Sequence, residues 1–280
     1  MVDGVSVVIC VRNSHATLGG SIDSVLAEKP IEVIVVDGNS TDGSREIALN
    51  KGAILINDDG RGIAHARHLG VMAARGRHIL FVGPDNILPA GFIADLLEAM
   101  EKWQFVAAAP QTRVSAPQTF WDRGLDFRLL CMENEPGPRD VIGTPTLYDA
   151  SIFQYITYNE CAGACDDTDI GMQLREHGLS FGIVPVLVYD QNGLTRNCIW
   201  KKFKLYGTGD SDFYRLHSPK WTGARKLQSL THPLRQSISL GKIALRNGSL
   251  GLIAWLMFAM VARYVGWIQK SMKRKARTPI

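Results

Sequence analysis

The chain is short of several things. Its five cysteines fall at irregular spacing, and no second Cys/His pair accompanies Cys161 and Cys165 at the separation a zinc site needs. That argues for free thiols in a reducing compartment, against a disulfide frame. Charge is nearly balanced, +4 over 280 residues, which leaves nucleic acid without an obvious footing. No internal repeat or low-complexity tract is visible. No G-x-G-x-x-G follows the first apolar run, where the residues read Cys10-Val11-Arg12-Asn13, so a dinucleotide-binding dehydrogenase or a Rossmann methyltransferase is disfavoured. Met1-Val2-Asp3 leads directly into a strand, and no signal peptide is expected. Nor is there an uncharged run of the roughly 20 residues that a spanning helix wants. The best candidate, Leu250 to Ala262, stops at Arg263.

What is present is an alternation of strand and helix signals. Val5 to Val11 and Ile31 to Val36 are unbroken apolar runs rich in β-branched residues, as expected of parallel strands covered on both faces. His15 to Glu28 reads as a helix, a second helix is closed by Gly52, and Ala53 to Ile56 is a short strand. The turn Asp58 to Gly62 introduces a third helix, after which Ile79 to Val82 runs into Gly83-Pro84 and must stop. Ala90 to Lys102 is amphipathic and Phe105 to Ala109 is a further strand. Such β-α-β-α order predicts an α/β fold with a doubly wound, Rossmann-like, mostly parallel sheet. From Pro110 to Pro145 no period is evident, which suggests a binding loop. A short helix over Ser151 to Thr157, a helix from Cys165 to His177 and a strand from Phe181 to Tyr189 complete the pattern.

Three acidic stations fall at loop positions. Asp37 follows the second strand, Asp85 follows the fourth, and Asp166 and Asp167 precede a late helix. Open α/β sheets place ligands at the carboxyl ends of their strands. There Asp37 can accept a hydrogen bond from a base or ribose, Asp85 can hold a divalent cation against a diphosphate, and Asp167 can take a proton from a hydroxyl. Each also has a plainer reading, as a turn former or as a favoured charge at a helix start.

In the segments VSVVICVRN (Val5 to Asn13), IEVIVVDGNSTDGS (Ile31 to Ser44), GIAHARHLGVMAARGRHILFVGPDN (Gly62 to Asn86) and CDDTDIGMQLREHG (Cys165 to Gly178), the sequence resembles the family 2 inverting glycosyltransferases of GT-A fold. The resemblance covers about the first 190 residues. It implies that Asp37, with Asn39 beside it, contacts the nucleotide, that Arg67 lies near the nucleotide, that Asp85 is the metal aspartate and that Asp167 is the catalytic base. It also implies Mn2+ or Mg2+ as cofactor, a nucleoside-diphosphate sugar as donor, and a glycan or polyprenyl-linked acceptor. Three departures stand out. Cys10 replaces a usual Pro, Gly83 replaces the first carboxylate of the metal motif, and Tyr189-Asp190-Gln191 stands where many members carry a His, so that Asp190 becomes a second candidate metal ligand. The missing carboxylate also motivates an alternative, a non-catalytic protein that binds sugar nucleotides.

The division expected is a catalytic domain over residues 1–230 and a membrane-associating helical segment over 231–280. After Asn192 the chain turns basic and aromatic. Trp255, Phe258, Tyr264 and Trp267 provide amphipathic rings for a helix lying in the membrane interface, and Lys270, Lys273, Arg274, Lys275 and Arg277 provide charge for anionic lipid; a helix buried in the protein core is the competing reading. The expected location is the cytoplasmic face of the cell membrane, and truncation before Leu250 is expected to leave a soluble catalytic domain.

Overall fold

The computed structural model describes residues 4–133 and 135–275. Met1 to Asp3 and the tail's basic side chains beyond Met272, Arg277 among them, lie outside the described residues. The chain divides into two compact units. The first comprises Met1–Ser115, Met132–Glu160 and Asp166–Gln191; the second comprises Ala116–Cys131, Cys161–Cys165 and Asn192–Ile280. The boundary expected after residue 230 falls inside the second unit.

The first unit is a mixed sheet between helices. Its strands are β1 (Val5–Val11), β2 (Glu32–Asp37), β3 (Ile54–Asn57), β4 (His78–Val82), β5 (Asn86–Ile87), β6 (Ala107–Val114), β7 (Gly137–Pro138), β8 (Thr146–Asp149) and β9 (Phe181–Asp190). They lie in the order β3-β2-β1-β4-β8-β6-β9-β5, with β7 on β9. The run β3-β2-β1-β4 is parallel, as the apolar strand pattern predicts. β8 is antiparallel to both β4 and β6.

Alternation along the strands divides the core in two. Val5, Val7, Ile9 and Val11 point to one face, where helices α1 (His15–Ala27) and α4 (Phe92–Lys102) add Leu18, Ile22 and Leu96. Val8, Ile34 and Phe81 point to the other, against α3 (Ile63–Ala73) and α6 (Asp166–Glu176), which bring Ala66, Ile170 and Leu174. Close packing of α3 on β1 requires Gly70, where a Cβ would overlap the Val8 side chain. A further helix, α2 (Ser44–Asn50), connects β2 to β3.

The region without evident period is more ordered than the sequence suggests. β6 passes through Pro110 with a register shift and runs on to Val114, and α5 (Phe120–Glu133) follows. Proline is tolerated there because the bulge relieves it of a ladder bond.

The second unit is helical: α5, α7 (Arg196–His217), α8 (Gly223–Leu230), α9 (His232–Arg246) and α10 (Leu250–Lys275). Its centre is Trp255, fully buried, with Phe203 edge-on at 5.4 Å. Gly124 of α5 lies so close that any Cβ there would overlap the indole. Asp122 fastens the entry to α5, accepting from the backbone N–H groups of Thr119 (2.9 Å) and Leu194 (2.8 Å).

Of the aromatic side chains expected to lie in a membrane interface, Trp255 is buried and the other three are half-buried against protein. Phe258 packs on Trp121 (5.0 Å) and Trp200 (5.3 Å), Trp267 meets Tyr214, and the Tyr264 hydroxyl donates to the Leu230 carbonyl (3.0 Å). Helix periodicity identifies which residues share a face but not which face meets protein. α10 is therefore part of this unit's core, and its removal would strip the core of Trp255, contrary to the expected truncation.

Candidate active site

Parallel strands all end at one edge, and the first unit's polar residues gather there. Asp37 is in register with Val11, and Val82 with Ile9, so the turns after β2 and β4 flank the end of β1.

Asp37 is fully buried. Its carboxylate accepts from Ser40 N (3.1 Å) and from Arg45 Nη1 (2.9 Å), which closes the Asp37-to-Ser40 turn. Asn39, exposed at the tip, takes a left-handed backbone conformation (φ 57°), which asparagine tolerates better than most residues. Arg45, whose side chain is 38% exposed, is the ionic partner of this buried carboxylate.

After β4 the chain makes a tight turn over Gly83 to Asn86. Asn86 holds it from inside: its Oδ1 accepts from Gly83 N (2.7 Å) and its Nδ2 donates to Asp190 Oδ1 (2.6 Å). A Cβ at Gly83 would stand 2.8 Å from both Asn86 Oδ1 and Asp85 Oδ1, so a carboxylate residue there would require those side chains to shift. Asp85 is half-buried, and its carbonyl accepts from Gln191 N (2.8 Å). Asp190 is buried, with one oxygen engaged by Asn86. Among the described residues no group of three His, Cys, Asp or Glu side chains is arranged to hold a metal ion. Asp85 by itself suits a cation of the magnesium type, which keeps most of its ligands from water and phosphate and takes one or two from protein carboxylates.

The third station is an ion cluster that sequence reasoning saw only in part. Arg67, on α3 and buried, reaches across to the start of α6. Its Nη1 lies 2.6 Å from Asp166 Oδ2 and donates to Asp167 Oδ1, while Nη2 donates to Thr144 Oγ1 (2.5 Å). The guanidinium sits 5.8 Å from the ring centres of both Phe81 and Tyr158. Burial disfavours its charge, but Asp166 and Asp167 outweigh that and hold it firmly protonated. The two carboxylates differ. Asp166 is 3% exposed, and loss of hydration, only partly offset by Arg67 and reinforced by Asp167, pushes its carboxyl up to about 7. Although Arg67 is close, no N–H is aimed at Asp166 Oδ2. Asp167 is 30% exposed and open to a second reactant.

Two neighbours complete the setting. Loss of hydration pushes the Cys10 thiol up to about 12, so the residue in the usual proline position stays neutral. Glu160 joins His65 Nδ1 (2.8 Å) and Arg61 Nη2 (2.6 Å), tying α3 to the segment before α6. Thr144, Phe81 and Tyr158 carry no sequence motif, and only the fold shows that they surround Arg67.

The model of glycosyl transferase family 2 matches residues 6–157, more than half of the chain. The chain belongs to that family. The glycosyltransferase GlyG of Streptococcus pneumoniae serotype 4 is 29% identical over 106 residues, a match covering 35% of this chain and 35% of GlyG. An uncharacterized glycosyltransferase of Mycobacterium bovis is 31% identical over 102 residues, covering 36% of this chain and 45% of that one. These matches thus span less than half the length of either relative. Among solved structures, S. aureus TarS 1-349 in complex with UDP-GlcNAc superposes with a TM-score of 0.55 at 15% identity, covering 98% of this chain and 92% of that one. GalNAc-T7 with UDP, GalNAc and Mn2+ gives 0.54 at 16% identity, covering 75% and 51%. At such identities the likeness establishes the GT-A fold.

Proposed function

We propose that this family 2 protein is an inverting glycosyltransferase that moves a sugar from a nucleoside-diphosphate donor to a hydroxyl of a glycan or lipid-linked acceptor, in cell-surface polysaccharide or glycoconjugate assembly at the cytoplasmic face of the membrane. The carrying observation is the pairing of Arg67 with Asp166 and Asp167 at the start of α6. Asp167, the more exposed of the two, takes the acceptor proton as the oxygen bonds to the anomeric carbon. The bond to the diphosphate breaks on the opposite face, its electron pair leaves with the diphosphate, and the configuration inverts. Arg67 orients Asp167, and Asp166 helps to hold Arg67 in place. Asp37 and Asn39 face the base or ribose.

Asp85, together with the donor's own phosphates, would hold a divalent cation, which supplies charge neutralisation to the leaving group. We assign Asp190, in place of a role as second metal ligand, to positioning Asn86 and the turn that carries Asp85. The UDP and Mn2+ bound to GalNAc-T7, and the UDP-GlcNAc bound to TarS, support a nucleotide-sugar donor for this chain.

A second reading places the base at Asp166, favoured by a carboxyl near 7, the range suited to general base catalysis. Burial weighs against it, because an acceptor hydroxyl must reach the base.

The deciding experiment measures donor binding and sugar transfer for Asp85→Ala, Asp166→Asn and Asp167→Asn, beginning with a thermal-shift screen of nucleoside diphosphates with and without manganese. Expected are loss of the manganese-dependent stabilisation in the first variant and loss of transfer with retained binding in the third. Full turnover by Asp167→Asn would remove it as the base.

A further inference from the structure

Between Phe213 and Ile280 there is no aspartate or glutamate, against thirteen lysines and arginines. All 27 acidic residues precede that stretch. One-sided charge on this scale points to an anionic partner. The burial pattern shows what kind.

On α9, Leu234, Ile238 and Leu245 are 41%, 50% and 55% exposed, and their spacing puts them on one stripe. Arg235, Lys242 and Arg246 form a second exposed stripe beside the first. Pro233, Leu240 and Ala244 are buried on the far side. On α10, Met257, Val261 and Ile268 are 56%, 47% and 48% exposed along one stripe, and Trp255, Ala259 and Ala262 are buried on the inner side.

α9 and α10 are joined through residues 247–249 and run antiparallel, meeting where Pro233, Gln236 and Leu240 line one cleft with Leu256, Ala259 and Arg263, while Tyr264 bonds to Leu230 just ahead of α9. On each helix the exposed apolar stripe is rotated in the same sense from the side that meets the other, by very roughly 130° at the α-helical 3.6 residues per turn. With the axes opposed, equal rotations bring both stripes to one face of the hairpin, with the α9 basic stripe along its outer edge.

We infer that the α9–α10 hairpin is a docking surface for an anionic lipid membrane and lies in the plane of the interface. The apolar stripes enter the acyl boundary, and Arg235, Lys242 and Arg246 meet the headgroups. Nucleic acid would leave the apolar stripes uncovered, and a second copy would set basic edge near basic edge. A spanning α10, although its Leu250–Met272 stretch is long and apolar enough, is opposed by its attachment to α7. Arg263 pairs with Asp210 there (2.7 Å from Nη2 to Oδ1), and a Cβ on Gly207 or Gly266 would overlap the facing backbone. Only one side of α10 is available to lipid. The inference extends the membrane-borne reading above, but its test reads lipid binding alone, whereas transfer to a soluble acceptor by the Asp167 series tests the enzyme.

The full chain is floated with phosphatidylcholine vesicles, with and without phosphatidylglycerol. Expected is binding at least about tenfold tighter to the anionic vesicles, weakened by salt. Ile238→Ser with Val261→Ser should weaken binding to the anionic vesicles by about tenfold or more, since binding scales with buried apolar area. Arg235→Glu with Lys242→Glu and Arg246→Glu should erase the preference for anionic vesicles. Circular dichroism and the melting temperature verify that each variant is folded, and Leu245→Ser replaces any that is not. Absence of flotation by the folded wild type overturns the inference, and so does flotation that neither variant set changes, which would move the contact to the tail. A dimer in light scattering that Ile238→Ser dissociates would overturn it in favour of a second copy.

Discussion

Asp122 and Asp166 are both buried carboxylates near helix starts, one in each unit, and their surroundings act in opposite directions. Burial would raise Asp122, but the N–H groups of Thr119 and Leu194 outweigh it and hold its carboxyl below the usual range. Asp166 has a whole positive charge 2.6 Å away, yet Oδ2 has no aligned donor and its carboxyl is pushed up to about 7. Loss of hydration prevails at Asp166, whereas at Asp122 the aligned donors together outweigh it. Asp122 fastens chain segments together. Asp166 belongs to a cluster left incompletely satisfied, as is common where a site must work on something else.

That contrast can be broken most severely beside Asp166. Asp167→Asn keeps the size of the side chain and removes its basicity, and transfer should fall by about two to four orders of magnitude while donor affinity, measured by calorimetry, is unchanged. Replacing Asp122 with Ala should cost about 2 to 4 kcal/mol of stability in a denaturant melt, because it orphans several buried N–H groups at once. Asp166→Asn should act on stability in the opposite direction to Asp122→Ala. Above pH 7 it removes a poorly solvated charge, so stability is expected to stay level or rise, while transfer drops by about tenfold, at the low end of the effects of supporting groups.

The smallest effect is in the pH dependence, and its sign differs between the two carboxylates. Asp166 has a folded value of about 7 against an ordinary 3.8, so the native state keeps a proton that the unfolded chain has released. Its contribution to stability should therefore fall as pH rises from about 4 to 7 and be flat above. Asp122, held low, contributes stability that is present above the unfolded value of 3.8 and is lost as pH falls through its folded value. Melting temperatures from about pH 2 to about pH 8 for the wild type, Asp122→Asn and Asp166→Asn should show the slope below 3.8 disappear in the first variant and the slope above it in the second. Slopes of the same sign would end the comparison.

Much of the first unit was legible beforehand. The apolar runs at Val5 and Ile31 end where β1 and β2 end, the stop at Gly83-Pro84 ends β4, and Cys165-Asp166 marks the start of α6. Local chemistry fixes such points, since strands that are buried on both faces and turns that need glycine or proline leave marks in consecutive residues. The stretch after Pro110 misled because a bulge lets a strand carry proline, and α5 is only weakly amphipathic.

By itself the sequence determined the family, the order of strand and helix through most of the first unit, and the positions of the carboxylates at strand and helix ends. Tertiary structure decided that Arg67 meets Asp166 and Asp167 a hundred residues away, and that Trp255 turns into the core of its unit while Met257 and Val261 face out. Neither can be read along the chain. An ion pair between distant residues exists only when strand order brings two helices to one edge, and a helical period names the residues on a face without saying whether protein, water or lipid lies against it.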